Sequence, residues 1–462
     1  MLRLHDTATG TVRPLEQRRP GAVTMYVCGL TVYDVPHVGH GRAALAFDVL
    51  RRYLEFSGVR VEHVSNVTDI DDKIINRAAA EGRSEPEVAG EYEKVWWHAV
   101  DALGVLRPTE VPHATAYVEK MVALVSELVR RGAAYETDDG VYLSVDKVDG
   151  YGLLAHQSLD SLRAGARVEV GEQKRSPLDF ALWKKAKPGE PIWDSPWGPG
   201  RPGWHTECVV MSLELLGDGF DLHGGGIDLA FPHHENERAQ ALCWGRDFAH
   251  HWMHHGMVTV GAEKMSKSLG NFTTLTELLE QTDGRAYRLL VLRAHYRSPI
   301  EVTPATLADA VEGLARLDAL ARRFSLDPSL AEVSALGAHD AGVDAEALER
   351  FVERMDDDLD TPGAVAAIFE LVRRANAAAD AGEDDEGRRL AVSVAVLAGA
   401  LGLRLVAGTE VDDHSAELVR RRDEARAARD WGEADDIRRQ LEAGGWVVED
   451  TAAGTKLHRH PG

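Results

Sequence analysis

The chain has 462 residues, 44% of them apolar and 27% charged, which is typical of a globular protein of two to four domains that can bury a sizeable core. Its 52 basic and 75 acidic residues give a net charge of −23, which argues against nonspecific coating of DNA or anionic lipid but not against a nucleic acid held on local basic patches. The three cysteines, Cys28, Cys208 and Cys243, are odd in number and far apart, which argues against a disulfide framework and favours a reducing compartment. Cys243 is expected to be a small core residue.

Neither end of the chain nor its interior predicts membrane targeting. The amino-terminal stretch MLRLHDTATGTVRPLEQ has no apolar segment of the kind that a signal peptide needs. The longest apolar run, from Leu390 to Leu403, is too short to span a bilayer. We therefore expect a soluble cytoplasmic protein that does not contact a membrane.

The first predicted unit is a strand, a helix and a second strand. Residues 22–29, AVTMYVCG, are β-rich, and GRAALAFDVLRRYLEFSG then places apolar residues at helical spacing until Gly58. The strand VRVEHVSNV follows. This βαβ pattern implies a parallel sheet that binds ligands at the carboxyl ends of its strands, and Cys28 and His37 lie at such an end.

The next region departs from this pattern. A helix is predicted from Ala114 to Gly132, then a hairpin in AAYETDDGVYLSV with Asp-Gly in its turn, and Pro and Gly accumulate in residues 187–204. We interpret residues 115–200 as an insertion. The α/β pattern then resumes with a helix after Trp204, the strand FDLHGGG, a helix from about Pro232, the strand WMHHGMVTV and the loop GAEKMSKSLGNF.

The rest of the chain is predicted to be almost entirely helical. Thr303 caps a helix that has Pro304 at its first position, and the apolar residues of this helix share one face. Helical stretches at 343–379 and 386–405 favour a bundle. Residues 415–444 are predicted to form a charged helical pair, followed by the hairpin-like segment WVVEDTAAGTKLH.

The motif PHVGH, residues 36–40, places two histidines at the start of the first helix. Gly39 and Gly41 allow close approach of the backbone, and the helix start offers free N–H groups and the positive end of its dipole. With the imidazoles of His37 and His40 facing that end, the motif predicts a phosphate site. The alternative is that the histidines only cap the helix or pack against it.

A second candidate phosphate element is the loop KMSKSLGN, residues 264–271. Lys264 and Lys267 are flanked by serines, and Gly270 ends the loop. Such a short basic loop can close over a polyphosphate and neutralise developing charge. Taken alone, such a loop is more often a solvated surface turn.

A third constellation has the residue types of a metal site. In FPHHENERAQAL, His233 and Glu237 are four apart and share one helix face, so that one helix can supply two ligands. His234 is three residues from Glu237 and stays open as an alternative. Cys28 and Cys208 would complete a set of two thiols, one imidazole and one carboxylate. The alternative for both cysteines is a role as small core hydrophobes.

Together, YVCGLTVYD, RPGWHTEC, HGGGIDLAFPHHENE and KMSKSLGNF closely resemble the cysteinyl-tRNA synthetase family. PHVGH and KMSKS, in this order, are similar to the two signatures of class I aminoacyl-tRNA synthetases, with Val38 in place of the usual isoleucine. The resemblance is collinear from the first strand to the carboxyl-terminal GTK. It implies activation of L-cysteine with ATP and Mg²⁺ to cysteinyl-adenylate, followed by transfer of cysteine to the 3′ end of tRNA(Cys).

The resemblance also implies one zinc ion per chain, bound by Cys28, Cys208, His233 and Glu237. In the family this zinc accepts the substrate sulfur as an added ligand, so that cysteine is preferred to serine without a proofreading domain. The implied catalytic residues are His37, His40, Lys264 and Lys267. The implied ATP-binding residues are Gly29, His37, Gly39, His40, Asp228, Lys264 and Lys267. The implied cysteine-binding residues are Gly29, Thr31, Thr68, Trp204 and His205.

Two roles are open for Asp228. A carboxylate in the Gly-rich HGGGID can contact adenosine or the amino group of the substrate, and it can equally cap a helix or a turn. No enzyme-bound covalent intermediate is expected. Catalysis would rest on positioning and electrostatics.

The fold implied is α/β: a Rossmann-like parallel-sheet catalytic domain with an insertion, followed by an α-helical bundle and a small carboxyl-terminal anticodon-binding module. We expect a monomer. The expected boundaries are 1–114 for the first half of the catalytic domain, 115–200 for the connective insertion, 201–258 for the second half, 259–303 for the KMSKS loop and stem-contact region, 304–408 for the bundle and 409–462 for the terminal module.

The terminal module carries arginines suited to phosphate and base edges, beside Trp431, which can stack on an unpaired base. A solvated, salt-bridged helix pair is the alternative, and acidic residues outnumber basic ones in 411–462, so charge does not establish RNA binding. The arginines concerned are Arg420, Arg421, Arg422, Arg426 and Arg429.

Two rival functions remain at this point. A ligase of the same superfamily, similar to the enzyme that joins cysteine to glucosaminyl-inositol in mycothiol synthesis, would keep the zinc and the adenylation but lack the anticodon-binding end. A nonenzymatic paralogue would be a zinc-containing RNA-binding or regulatory module. Intact PHVGH and KMSKS disfavour the second rival, because a pure binding protein has no need of two triphosphate elements.

Overall fold

The computed structural model describes residues 1–158, 161, 173–259, 274–407, 413–451 and 454–459. Its first region forms an antiparallel hairpin, the predicted βαβ unit, and helices that follow it. The strands β3 and β4 run parallel, which confirms the βαβ prediction. The elements are β1 (Arg3–Asp6), β2 (Thr11–Pro14), β3 (Ala22–Thr31), α1 (Val38–Phe56), β4 (Arg60–Thr68), α2 (Asp72–Glu81), α3 (Glu85–Ala102) and α4 (Val118–Arg130).

Within the predicted insertion lies a second, antiparallel sheet. The predicted hairpin is present, because its first two strands pair through the turn that contains Asp139 and Gly140. The Pro- and Gly-rich segment forms a short strand only at its end. The strands, adjacent in the order given, are β5 (Ala134–Glu136), β6 (Gly140–Leu143), β7 (Phe180–Lys185) and β8 (Gly200–Pro202).

The α/β pattern then resumes and completes the central sheet, which is parallel and has the strand order β10-β9-β3-β4. The predicted helix from Pro232 begins three residues later, because Phe231 has extended dihedrals (φ −140°, ψ 132°) inside an irregular turn, Ala230–His234. The elements of this part are α5 (Trp204–Leu216), β9 (Leu222–Gly226), α6 (Glu235–Trp244) and β10 (His251–His255).

The segment WMHHGMVTV is not the single strand that we predicted. β10 ends at His255, and β11 (Val258–Thr259) pairs instead with β12 (Ile300–Glu301) outside the central sheet. The break falls at Gly256, where a Cβ atom would lie 2.5 Å from the carbonyl oxygen of Arg297. The strand therefore has to turn away because another segment crosses it closely.

The carboxyl-terminal half is helical, as predicted, and ends in an antiparallel hairpin. Thr303 is the cap of its helix, with its hydroxyl accepting from the backbone N–H of Thr306 at 3.1 Å. The elements are α7 (Leu275–Gln281), α8 (Gly284–Leu292), α9 (Pro304–Phe324), α10 (Ala345–Asp356), α11 (Thr361–Asp380), α12 (Asp384–Ala400), α13 (Asp413–Ala428), α14 (Trp431–Ala443), β13 (Trp446–Thr451) and β14 (Gly454–Arg459).

One helical prediction is wrong in detail. The stretch 343–379 is broken between α10 and α11, where Asp358 and Leu359 take left-handed backbone conformations with φ of 58° and 51°. The buried Asp358 carboxylate accepts from the backbone N–H of His5 at 2.7 Å and from the hydroxyl of Tyr296 at 2.6 Å. These bonds stabilise a turn that helical periodicity cannot reveal.

The bundle and the central sheet share one core. Leu50 in α1, Met25 in β3 and Leu397 in α12 belong to the same buried apolar cluster. A buried ion pair between Arg288 in α8 and Asp48 in α1, 2.5 Å apart, adds a polar link. In the part of the chain that the structure describes, every helix is too short or too polar to cross a bilayer.

Candidate metal centre and substrate pocket

Two cysteines, a histidine and a glutamate that are distant in sequence meet at the carboxyl end of the central sheet. Cys28 lies near the end of β3 and Cys208 in α5, and their sulfur atoms are 3.6 Å apart. His233 Nε2 lies 3.7 Å from the sulfur of Cys208 and 2.9 Å from Oε1 of Glu237. The same carboxylate oxygen is 3.5 Å from the sulfur of Cys28. The four predicted ligands are therefore brought together.

The spacing of these donor atoms fits a tetrahedral metal ion. With zinc–sulfur bonds of about 2.3 Å and zinc–nitrogen or zinc–oxygen bonds of about 2.05 Å, tetrahedral geometry requires about 3.8 Å between two sulfurs and about 3.6 Å between sulfur and nitrogen or oxygen. The observed 3.6, 3.7 and 3.5 Å lie within a few tenths of an ångström of those values, whereas His233 and Glu237, 2.9 Å apart, are closer than the about 3.3 Å that two such ligands require. Two thiols with one imidazole and one carboxylate are also a donor set that suits zinc.

A second group of potential ligands overlaps the first. Cys28 and Glu237 also lie close to His223 and His234, and the donor atoms of these four residues are within 4.8 Å of one another. His234 Nε2 is 3.3 Å from the sulfur of Cys28, and His223 Nε2 is 2.6 Å from Oε2 of Glu237. This set has one thiol rather than two, and its two imidazoles and carboxylate are also residue types that bind zinc, so it competes with the first set.

The electrostatics of the cluster keep Cys208 and Glu237 deprotonated but leave protons on Cys28 and His233. Burial raises the pKa of the Cys28 thiol well above its usual range, whereas the hydrogen bond from Cys28 lowers the pKa of Cys208 to about 6. Burial opposes a charge on His233, but the Glu237 carboxylate and Cys208 together outweigh this effect and raise the His233 pKa to about 10. A thiolate and a carboxylate thus coexist in the interior, an arrangement that a bound cation would stabilise by displacing protons.

The predicted cysteine-binding residues surround this cluster. Trp204 stacks on the ring of His233 with 3.9 Å between ring centroids, and Nδ1 of His205 lies 2.8 Å from Nδ1 of His233. Thr68 is buried at the end of β4, and Thr31 is its register partner on β3. The residues around the cluster, among which Trp204 is 39% exposed, are the candidate cysteine pocket.

A buried polar chain supports the wall of this pocket. The hydroxyl of Thr68 donates to Oε2 of Glu207 at 2.9 Å and accepts from Nδ2 of Asn66 at 3.1 Å. Oδ1 of Asn66 in turn accepts from the hydroxyl of Tyr26 at 3.1 Å and from the backbone N–H of Gly29 at 2.9 Å. Neither Asn66 nor Glu207 was predicted as a site residue. For Asn66 a signal existed, because a polar residue inside a predicted parallel strand needs a fixed partner, whereas Glu207 lies in α5.

The requirement for glycine at position 29 comes from the neighbouring strand. A Cβ atom built there would lie 1.6 Å from the carbonyl oxygen of Asn66. Only glycine permits this approach, which coincides with the register shift between Val27 and Leu30 on β3. Gly29 thus holds β3 and β4 close together beside Cys28.

The two histidines of PHVGH lie at the start of α1. His37 precedes the first residue of the helix, and its backbone N–H donates to Nδ1 of His40 at 3.2 Å. The two rings stack with 3.6 Å between centroids, and Gly39 lies against the His37 ring. Burial lowers the pKa of His40 to about 3 and also lowers the pKa of His37, so both rings are neutral hydrogen-bonding groups at neutral pH.

Asp228 lies across from this helix start. It is exposed in the short helical turn Ile227–Leu229, where its charge acts on His37. The turn begins after Gly226, and no side chain forms a capping hydrogen bond at its start. Lys264 and Lys267, the other two predicted catalytic residues, lie outside the described residues.

Comparisons with known proteins agree with this geometry. Residues 14–312 match the family model described as tRNA synthetases class I (C) catalytic domain, 350–406 match the DALR domain, and 409–456 match the cysteinyl-tRNA ligase anticodon binding domain. A cysteine–tRNA ligase of Alkalilimnicola ehrlichii is 47% identical over 99% of this chain and 100% of its own length. One from Chromobacterium violaceum is 46% identical with the same two coverages.

Among solved structures, methionyl-tRNA synthetase of Mycobacterium tuberculosis, determined with methionyl-adenylate, matches with a TM-score of 0.59 at 17% identity, covering 83% of this chain and 90% of the other. At that identity the match supports the fold alone. It agrees with the predicted α/β class, in which a parallel sheet is followed by helices. From the three family models and the full-length relatives, the chain belongs to the cysteine–tRNA ligase family of class I aminoacyl-tRNA synthetases.

Proposed function

We propose that this chain is a cysteine–tRNA ligase that activates L-cysteine with ATP and transfers it to the 3′ end of tRNA(Cys). The single observation that carries the proposal is the full-length relationship to cysteine–tRNA ligases at 47% identity. The cluster of Cys28, Cys208, His233 and Glu237 supports it independently, because its donor set suits a thiol-binding metal and Cys28 lines the same cavity as His40 at the start of α1.

In this function Cys28, Cys208, His233 and Glu237 would hold one zinc ion. When bound, zinc supplies a Lewis-acidic centre that prefers a substrate thiolate to a hydroxyl, and so distinguishes cysteine from serine. The protein contributes the donor set and its orientation. Glu237 is fixed by the buried His223, and His233 is fixed between Trp204 and His205.

The substrate amino acid would be enclosed by the pocket around that site. Thr68 is held in one orientation because its hydroxyl both accepts from Asn66 and donates to Glu207. Trp204 and His205 form the opposite wall. Gly29 and Thr31 line the strand end between them. Such a rigid pocket orients the substrate carboxylate toward the nucleotide, which is the main requirement for attack on an α-phosphate.

The nucleotide, as ATP with Mg²⁺, would bind over the start of α1. The free N–H groups there and the neutral imidazoles of His37 and His40 can donate to phosphate oxygens as pyrophosphate leaves. Lys264 and Lys267 are assigned to the same leaving group, following the resemblance of KMSKS to the family signature. Asp228, exposed near His37, is assigned to a polar contact with the adenosine or the amino group of the substrate.

The proposed domain division is the one predicted above: catalytic halves at 1–114 and 201–258, the insertion at 115–200, the KMSKS region at 259–303, the bundle at 304–408 and the anticodon module at 409–462. The match of residues 409–456 to an anticodon binding domain supports tRNA as the partner. It also disfavours the mycothiol-type ligase, which lacks such an end. A monomeric state and a cytoplasmic location stay predictions.

Cysteine-dependent ATP–pyrophosphate exchange and tRNA charging, measured on the purified chain, test this function. We expect exchange with cysteine and far less with serine, and charging of tRNA(Cys). Exchange without charging would favour the amino-acid ligase, and no exchange would favour a binding module.

A matched pair of cysteine variants tests the proposed metal ligands. We expect Cys208→Ser to lower zinc content and cysteine activation together, because a hydroxyl is a poor zinc ligand. Cys243→Ser should leave both unchanged, since Cys243 belongs to neither potential metal group. Retention of zinc and activity by Cys208→Ser would contradict the ligand assignment.

A further inference from the structure

Behind Cys28, a continuous row of hydrogen bonds leads away from the proposed metal centre. Nε2 of His234 lies 3.3 Å from the sulfur of Cys28. Nδ1 of His234 lies 2.8 Å from Nε2 of His254, and Nδ1 of His254 lies 2.7 Å from the hydroxyl of Thr7. All three partners are buried, at 0%, 4% and 6% exposure. Two imidazoles and one hydroxyl thus connect the amino-terminal hairpin to a thiol of the cluster.

The outer end of this row is held rigidly. Thr7 follows β1, and its backbone N–H donates to the carbonyl oxygen of Trp252 in β10 at 2.9 Å. The carboxylate of Asp6 accepts from the backbone N–H of Trp252 at 3.0 Å and from Nε of Arg13 at 2.9 Å. The hairpin is therefore held against the central sheet at Asp6 and Thr7, and the hydroxyl of Thr7 faces His254.

The protonation state of Cys28 sets the donor and acceptor of each hydrogen bond in this row. A metal-bound cysteine is a thiolate, which can only accept a hydrogen bond. His234 must then present Nε2–H to the sulfur, which leaves its Nδ1 as an acceptor. His254 must donate from Nε2, which leaves its own Nδ1 to accept from the hydroxyl of Thr7. Burial lowers the pKa of His254 to about 3, in agreement with a neutral ring in this role.

We propose that Thr7 and His254 are positioning residues of the metal centre, which fix the tautomer and orientation of His234 so that an N–H group faces the Cys28 thiolate. An N–H···S bond stabilises the thiolate and withdraws electron density from it, which leaves the metal a stronger acceptor for a further sulfur ligand. This inference rests on the proposed metal site and extends it to two residues that lie outside the four ligands.

One competing assignment has the same contacts. If His234 were itself a ligand through Nε2, the row would run in the opposite direction, with His234 donating to His254 and His254 donating to Thr7. The site would then use the overlapping group with His223 in place of Cys208 and His233. Variants of His234 and Cys208 distinguish the two cases. Loss of a hydrogen-bond partner weakens metal binding in part, whereas loss of a ligand abolishes it.

The test measures zinc affinity by competition with a chromophoric chelator, and the sulfur-to-cobalt charge-transfer band of the Co²⁺-substituted protein. Thr7→Val and His254→Phe should weaken zinc binding about 10- to 100-fold. Both should shift the charge-transfer band to lower energy, because the thiolate loses an N–H donor. Thr7→Ser keeps the hydroxyl and should restore affinity and spectrum. Thr9→Val, in the same hairpin turn but exposed, serves as the control and should match the wild type.

Unchanged zinc affinity and an unchanged band in both Thr7→Val and His254→Phe would overturn the proposal. So would complete loss of metal in His234→Gln with metal retained in Cys208→Ser, because His234 would then be a ligand in place of Cys208. A merely structural role would lower thermal stability without moving the band. These measurements need no cysteine, ATP or tRNA. A chain that binds zinc as described but fails to charge tRNA would therefore contradict only the proposed function.

Discussion

Replacing Gly29 by alanine inserts a methyl group at the point where β3 approaches β4 most closely. The new Cβ atom would lie 1.6 Å from the carbonyl oxygen and 2.7 Å from the carbonyl carbon of Asn66, which are backbone atoms that cannot rotate away. The strands would have to separate by more than an ångström. That movement breaks the 2.9 Å bond from the Gly29 N–H to the Asn66 side chain and displaces the neighbouring Cys28.

The expected cost follows from these contacts. Overpacking of a tight interior costs about 1–3 kcal/mol, and each lost hydrogen bond costs about 1 kcal/mol. Because Asn66 also holds Thr68, two bonds are at risk, and we expect a loss of about 3–5 kcal/mol. Movement of Cys28 should also weaken zinc binding, and movement of Thr68 should raise the KM for cysteine.

Urea unfolding followed by tryptophan fluorescence, with zinc affinity measured in parallel, provides the assay. Gly90→Ala is the matched control, because Gly90 lies inside α3 and an added Cβ would have no atom within 4 Å. Alanine there should stabilise the protein by about 0.5–1 kcal/mol. If Gly29→Ala unfolded at the wild-type urea concentration and bound zinc normally, the steric reasoning would be refuted.

Three further substitutions have defined outcomes. Asp48→Asn should cost about 3–5 kcal/mol in urea unfolding, because it leaves Arg288 buried without its partner. Burial opposes the Asp48 charge, but Arg288, Arg52 and the backbone N–H of Leu106 together outweigh it and lower the Asp48 pKa below 3.8. The stabilisation is therefore full above that pH, and the difference from wild type should shrink as the pH falls further. Thr68→Val should raise the KM for cysteine in the exchange assay about tenfold with little change in zinc content, because its hydrogen bond to Glu207 is lost. His40→Gln should lower kcat for exchange about 10²- to 10³-fold, again with zinc retained.

The local parts of the site were predictable from the sequence because they depend on short spacing. His233 and Glu237 are four residues apart, which is about one helical turn, and PHVGH stands at a strand-to-helix junction, so short spacing along the chain places these groups. The two cysteines are different. Cys28 and Cys208 are about 180 residues apart in the chain, so spacing cannot predict that they meet His233. That prediction came from the resemblance to a family.

Residues that act through long-range partners were missed. His223 and His254 are buried in the parallel strands β9 and β10, where nearly continuous apolar runs are the rule. An imidazole inside such a strand needs a polar partner, and that requirement was a usable signal. The partner itself could not be named, because Glu237, His234 and Thr7 come from other elements. Side-chain pairing across the fold is fixed by topology, which spacing along one segment does not encode.

The arginines of α13 bear on how a tRNA could be held. Four of the five arginines named in the sequence analysis already pair with a carboxylate of the same small module, so contact with a phosphate would exchange one anionic partner for another and gain little. Trp431, at the start of α14, is 60% exposed and offers a stacking surface that needs no charge. Recognition of an anticodon by this acidic chain is therefore better explained by base stacking and shape than by free positive charge. The pairs are Arg420 with Glu417 and Glu424, Arg421 with Glu433, and Arg422 and Arg426 with Asp450.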